Sequence, residues 1–343
     1  MVYRATATEN KKAILLLVLI VIPVLAALIC IGIGRYSLSV GESIKVLFNA
    51  AVFGKESVEP QSYSVIIGLR LPRIILALFA GAGLAVSGAS FQALFGNPLA
   101  TPDTMGVAAG ASFGAALALL IGDNLIWIQS VSLIVGLIAV FLTYSISRIK
   151  GRATIIMMVL SGIVIASMFQ AFVSLVKYMA DPEDKLPAIT YWLMGSLTGV
   201  TYKSLLIGLP FLIVGITIIL LLRWKLNVLS LSEDEAHSMG VNVRKMRLFI
   251  VLASTMITAS AISMCGQVGW VGLVIPHIAR MIFGSNNRFI IPASISLGAV
   301  FMILIDTIAR SATQGEIPVS ILTATVGAPF FIYLLKRTGG AWV

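Results

Sequence analysis

Ser232 and Glu235 stand three residues apart within RWKLNVLSLSEDEAHSMGVNVRKMR, residues 223–247. Ser-x-x-Glu is the capping-box pattern, in which each side chain satisfies a backbone N–H of the other residue at a helix start. Glu233 and Asp234 add negative charge where a helix N-terminus favours it. Ala236 continues the turn, and Gly240 sits where a helix C-terminus takes a left-handed residue. Asn242 can cap a second helix. The spacing predicts a short acidic helix over 233–239, then another running into the next apolar stretch. The chemistry on offer is recognition: a folded, charged surface that a partner can grip and push. The plainer alternative is an ordered loop.

Other reactive residues are sparse. Asp306 is the one acid inside an apolar run, and Arg310 lies at i+4 on the same helix face, where the two can neutralise each other. His277 follows Pro276, where it can hydrogen-bond a broken helix backbone. The phosphate-binding pattern G-x-x-x-x-G-K-[ST] is absent: Gly54-Lys55 is followed by Glu56, with no glycine five positions before Gly54. The histidines, His237 and His277, and the cysteines, Cys30 and Cys265, form no zinc-ligand spacing and no disulfide framework. No acid–base dyad or Ser-His-Asp set is present. No catalytic residue, metal ligand or cofactor is therefore expected.

The elements around these residues are apolar. The chain is 59% hydrophobic and 11% charged, against ~25% charged in soluble domains. Too little polar surface exists to cover such a chain in water, so it is read as an all-α polytopic membrane protein. The net charge of +10 then reports orientation before it reports nucleic acid. Ten apolar runs near the ~20 residues that cross hydrocarbon are found at about 13–34, 74–95, 104–121, 125–146, 153–176, 204–222, 248–265, 271–283, 289–308 and 319–335. The first follows a basic start but exceeds the ~7–15 residues of a signal-peptide core, so it is read as an uncleaved span. Residues 35–69 are too polar to span, with a surface helix expected over 43–53. The second run is rich in Gly and Ser (Gly81, Gly83, Ser87, Gly88), which lets helix backbones approach closely. With the N-terminus inside, 15 of the 24 Lys and Arg residues fall on inner loops. That bias places both termini and residues 223–247 in the cytoplasm. Of the ten runs, six precede this loop and four follow it.

A membrane chain with no nucleotide site, almost no buried carboxylate and a structured inner loop points to a permease driven by a separate ATPase. A cation-coupled secondary transporter would need buried ionisable groups. A non-transporting scaffold or receptor would accumulate no solute in vesicles.

The motifs narrow the class. Leu69-Arg70-Leu71-Pro72-Arg73, Gly81, Ser87-Gly88, Asn97-Pro98-Leu99-Ala100 and Gly106 come first, then Trp192-Leu193-Met194-Gly195-Ser196-Leu197 and Glu233-Asp234 with Ala236 and Gly240. The run from Gly269 to Arg280, Asp306 with Ala309-Arg310, Glu316-Ile317-Pro318-Val319 and Gly327-Ala328-Pro329-Phe330 complete the series. In order and spacing this resembles the FecCD family, permeases of binding-protein-dependent ABC importers for iron–siderophores, haem and cobalamin. Trp270 and Met194 depart from its commoner residues.

The resemblance implies a single transmembrane permease domain over 1–343, with ten transmembrane helices per subunit. It also implies a pore at the interface of a permease dimer in a bacterial cytoplasmic membrane. Implied partners are a second permease subunit (homo- or heterodimer), a cytoplasmic ABC ATPase dimer, an extracytoplasmic substrate-binding protein and membrane lipid, with no nucleic acid. Arg70, Arg73 and Arg310 match arginines that dock the binding protein; their plainer reading is interfacial snorkelling or, for Arg310, the Asp306 pair. Asn97 and Leu99 match the inner pore constriction. Ser232, Glu233, Asp234, Glu235, Ala236 and Gly240 match the ATPase coupling helices. The stretch from Asn97 to Thr104 is similar to iron(III)–siderophore members; haem and cobalamin are the alternatives.

Overall fold

Proline 60, at the first position of a helix, starts the longest element of the chain. In this computed structural model, which describes residues 18–36, 38–149, 152–153, 155–229, 233–240 and 242–338, one continuous helix runs from Pro60 to Phe95. Helices are labelled α1 (Val18–Cys30), α2 (Val40–Phe53), α3 (Pro60–Phe95), α4 (Val107–Ile121), α5 (Leu125–Ile146), α6 (Ile155–Met179), α7 (Lys185–Leu193) and α8 (Tyr202–Leu222). They continue as α9 (Glu233–Ser238), α10 (Val243–Cys265), α11 (Val271–Phe283), α12 (Asn287–Ser311) and α13 (Val319–Thr338).

Each of the ten expected spans contains an α-helix among the described residues. Six are long and apolar enough to cross a membrane: α3, α5, α6, α8, α10 and α12. Four more are shorter apolar helices: α1, α4, α11 and the Val319–Tyr333 part of α13. The first five residues of the first expected span, and Ser232 of the capping box, lie outside the described residues.

Several boundaries differ from expectation. The second span begins 14 residues early, because Pro60 initiates a helix whose Ser64–Arg70 portion is wound as a π-helix. Polar residues hid it from a hydropathy reading, and they place Arg70 and Arg73 inside a helix instead of before one. The third span starts at Val107, because Pro102–Met105 forms a separate 3-10 turn ended by left-handed Gly106. After α5 a small antiparallel hairpin pairs Arg148–Ile149 with Arg152–Ala153.

The core is built on α3, α10 and α12, whose most apolar windows are 83%, 78% and 67% buried. Small residues make this possible. A Cβ on Gly81 would lie 2.2 Å from the Gly298 carbonyl oxygen, and one on Gly88 would lie 1.9 Å from that of Gly272. These contacts join α3 to α12 and to α11. Polar side chains add interhelical hydrogen bonds: Ser87 donates to the Ser254 carbonyl at 3.0 Å, and Ser260 to that of Gly208 at 2.8 Å. The α6 and α8 windows are only 28% buried, so each turns a broad apolar face outward.

Candidate functional site

Two polar layers form at opposite ends of the bundle. One gathers the end of α1, the start of α3, the loop after α7 and the end of α12. Tyr202 at the start of α8 is tied into it by its hydroxyl, which donates to the Ile67 carbonyl at 2.6 Å. The other gathers the end of α3, the segment between α8 and α10, and the α11–α12 turn.

In the first layer Arg70, Arg73 and Arg310 converge. They come from residues 70, 73 and 310 of the chain, yet all three are buried, with 6%, 9% and 7% of their surface exposed. Arg70 Nη1 donates to the carbonyls of Ile31 at 2.8 Å and Gly32 at 3.2 Å, and Nη2 to Tyr36 at 2.7 Å. Arg310 Nη2 donates to the Cys30 carbonyl. Two guanidinium groups thus cap the C-terminal carbonyls of α1, where the helix dipole favours positive charge.

Arg73 is held by acids. Its Nε donates to Asp306 Oδ1 at 2.7 Å and its Nη1 pairs with Glu316 at 2.8 Å. Arg310 Nε stands 3.6 Å from Asp306 Oδ2, too far for a hydrogen bond. Asp306 therefore serves chiefly Arg73, across two helices, and the expected i,i+4 pairing with Arg310 is the weaker contact. Glu316 also accepts from the Thr198 hydroxyl. Burial alone would raise the Glu316 carboxyl; the Thr198 hydrogen bond and the Arg73 guanidinium outweigh it and hold the group below the ordinary carboxylate range. Arg70, Arg73, Arg310, Thr198 and Glu316 line a cavity of about 500 Å³, together with Arg35 and Tyr36. Its cations outnumber its acids, so it suits an anionic group.

In the second layer, Asn97 and Leu99 sit in the α3–α4 loop beyond left-handed Gly96. Asn97 Oδ1 accepts from the Leu99 N–H at 2.9 Å, and Leu99 is 46% exposed. Nearby, Gln92 Nε2 donates to the Gly272 carbonyl at 3.2 Å and its Oε1 accepts from Arg280. The acidic helix forms as α9. Its Ala236 is buried, and Gly240 has φ +74° as expected. Asn242 caps α10, its Oδ1 accepting from the Lys245 N–H at 3.0 Å.

Sequence reasoning missed two contributors. Glu316 appeared only within a motif; an acid one turn from Pro318 gives no sign that it will meet Arg73. Asn227 lies in the Lys225–Val228 turn and bonds Asn286 at 2.9 Å, a pairing invisible without the fold. Among the described residues, no group of three or more His, Cys, Asp or Glu is placed to hold a metal ion.

The profile of the FecCD transport family matches residues 18–337. The molybdate import system permease protein MolB of Haemophilus influenzae is 41% identical over 320 residues, covering 92% of this chain and 94% of that protein. A probable iron chelatin transport system permease of Helicobacter pylori is 37% identical over 318 residues, covering 92% and 96%. Among solved structures, a metal-chelate type ABC transporter in an inward-facing conformation superposes with a TM-score of 0.85 at 38% identity, covering 94% of this chain and 99% of that one.

Proposed function

The chain belongs to the FecCD transport family, and from that premise we propose that it forms one half of an importer pore carrying an iron(III)–siderophore into the cytoplasm. It is a multi-pass ABC permease. ATP hydrolysis is assigned to a separate cytoplasmic ATPase dimer, and solute delivery to an extracytoplasmic binding protein. The pore forms against a second permease subunit, a copy or a paralogue, and the outward apolar faces of α6 and α8 leave room for that subunit and for lipid. The membrane is the bacterial cytoplasmic membrane, with both termini inside.

The observation that carries this reading is the separation of the two polar layers. The three arginines meet in one cavity at one face, and the α9 region lies at the other. A solute carrier worked from both sides needs such an arrangement. Arg70, Arg73 and Arg310 are assigned to binding-protein docking, Asn97 and Leu99 to the inner constriction, and residues 232–247 to the ATPase.

Iron chelate as cargo is supported by the stretch from Asn97 to Thr104, by the Helicobacter pylori relative and by the metal-chelate type structure. A molybdate cargo is the second reading, favoured by the 41% identity to MolB. Proteoliposomes containing the permease, its ATPase and its binding protein distinguish them. ATP-dependent accumulation of ⁵⁵Fe–siderophore, with ⁹⁹Mo-molybdate excluded, is expected. The reverse result gives the cargo to molybdate. Uptake of either solute that collapses with an ionophore at constant ATP would return the chain to the cation-coupled class.

A further inference from the structure

The Lys225–Val228 turn is fastened to the bundle on three sides. Leu226 and Val228 are buried, at 0% and 5% exposure. Between them Asn227 faces the start of α12. Its Nδ2 donates to Asn286 Oδ1 at 2.9 Å, and its Oδ1 accepts from the Asn287 backbone N–H at 2.8 Å. Asn286 is the N-cap of α12 and also accepts from the Arg288 N–H at 2.9 Å. One amide thus grips both the cap and the first residue of a helix, and a grip at two atoms fixes orientation as well as position.

That helix spans Asn287 to Ser311, roughly 37 Å at 1.5 Å per residue, with Pro292 inside its second turn removing one intrahelical hydrogen bond. Its far end carries Asp306 and Arg310, within the arginine cluster. Its middle is pressed against α3 at Gly81 and Gly298, with no room for a side chain at either position. Beyond Pro292 the helix continues to Ser311, so Asp306 and Arg310 lie on the same helical segment as Gly298, which packs against α3. The α9 helix, which begins at Glu233, packs instead on α10.

We propose that Asn227 is a positioning residue for energy coupling: its two hydrogen bonds pass displacement between the ATPase-facing loop and α12, and α12 passes it to the Arg73–Asp306 pair at the opposite face. This rests on the reading of residues 232–247 as the ATPase contact. It separates two jobs within the loop. The α9 region meets the ATPase, and Asn227 ties that meeting to the helix that ends beside the docking arginines.

The test uses the full transporter in nanodiscs with its ATPase and binding protein. The readout is the ratio of ATP hydrolysis with loaded binding protein to hydrolysis without it. Asn227→Ala is expected to lower that ratio about fivefold or more, the lower end of ordinary coupling between sites, while both partners still co-purify and the thermal midpoint stays at the wild-type value. Asn227→Asp keeps the acceptor for the Asn287 N–H and loses the donor to Asn286, so it should fall between. An unchanged ratio in both variants overturns the proposal. So does a lowered thermal midpoint that reduces both rates equally, which marks a merely structural contact. Should Asn227→Ala fail to insert, Asn227→Asp decides by the same two criteria. The underlying reading is checked in the same preparations with Glu233→Lys, Asp234→Lys: an ATPase that remains bound sinks that reading, whereas release of the ATPase with a normal ratio in the Asn227 variants sinks only the inference.

Discussion

Arg73 Nε donates to Asp306 Oδ1 at 2.7 Å, joining α3 to α12 across 233 residues of sequence. Asp306 is 1% exposed, and Arg310 approaches its other oxygen. One carboxylate thus lets two guanidinium groups remain buried side by side. Removing one partner of such a pair leaves uncompensated charge and typically costs about 3–5 kcal/mol. Asp306→Asn should lower the thermal midpoint in detergent markedly, and adding Arg73→Gln should recover much of the loss. If Asp306→Asn alone melts like the wild type, the ion pair contributes nothing to holding α3 against α12.

Glu316 makes the cluster sensitive to acid. Its carboxyl is held below its ordinary value of 4.5 once the Thr198 hydrogen bond and Arg73 outweigh burial. A carboxylate whose pKa is lower folded than unfolded stabilises the fold fully above the unfolded value. The contribution is lost as pH falls through the folded value. The thermal midpoints of wild type and Glu316→Gln should therefore differ by a constant amount above about pH 5 and draw together only as pH falls below the ordinary carboxylate value. Convergence already at pH 6–7 would mean that Glu316 does not carry its charge against Arg73 in the folded protein.

For docking, the internal bonds of the arginines matter. Arg70→Glu with Arg73→Glu should weaken association of the binding protein and reduce uptake, most at low salt, since charge interactions between partners are screened over ~8 Å at physiological ionic strength. Because Arg73 also holds Asp306 and Glu316, the variant needs a control that loses the internal pair but keeps the arginines. Glu316→Gln is that control: it is expected to dock at least as tightly as wild type. Equal association of all three proteins in a pull-down would leave the arginines with only their structural role.

How much of this could be read from the chain depends on the range of the interaction. Spans, caps and breaks are local, so Asn242, Gly240 and the ten apolar runs announced themselves through residue type and spacing. The Gly81 and Gly88 contacts were half-readable: small residues in a span signal close approach, but not that the partners are Gly298 and Gly272. The polar start of α3 defeated hydropathy, because Pro60 and the Ser64–Arg70 winding build helix where polarity argues for loop. The convergence of Arg73, Asp306 and Glu316, and of Asn227 with Asn286, depends on helix order in space. No local pattern encodes it.

The glycine contacts give a test of packing. With the Gly298 carbonyl oxygen 2.2 Å from a Cβ at position 81, backbone must shift to admit any side chain, and overpacking typically costs 1–3 kcal/mol or more. Gly81→Val should prevent recovery of folded protein from the membrane, and Gly81→Ala should reduce it. Gly41 in α2 has no atom within 4 Å of an added Cβ and needs no special backbone conformation, so Gly41→Ala should express normally. Normal yield of folded Gly81→Val would contradict the α3–α12 packing described here.

Gly240 allows the coupling reading to be tested through backbone conformation alone. Its φ is +74°, and no atom lies within 4 Å of an added Cβ. A side chain here meets no obstacle, so the whole penalty is that of the left-handed region, ~1–2 kcal/mol for an ordinary L-residue and more for a β-branched one. Asparagine tolerates this region. Gly240→Val should therefore insert and dock the binding protein but lose substrate-stimulated ATP hydrolysis, and Gly240→Asn should retain most of it. Charge supplies the complementary arm. Glu233→Lys with Asp234→Lys should stop the ATPase from co-purifying, if an acidic helix start meets a basic surface. The reversal also costs α9 ~0.3–1 kcal/mol per charge through the helix dipole. Glu233→Gln with Asp234→Asn removes the charges without introducing repulsion and should bind the ATPase more weakly than wild type but better than the lysine variant. If Gly240→Val and both charge variants assemble with the ATPase and transport at normal rates, residues 232–247 are an ordinary loop, and the ATPase must grip this permease elsewhere.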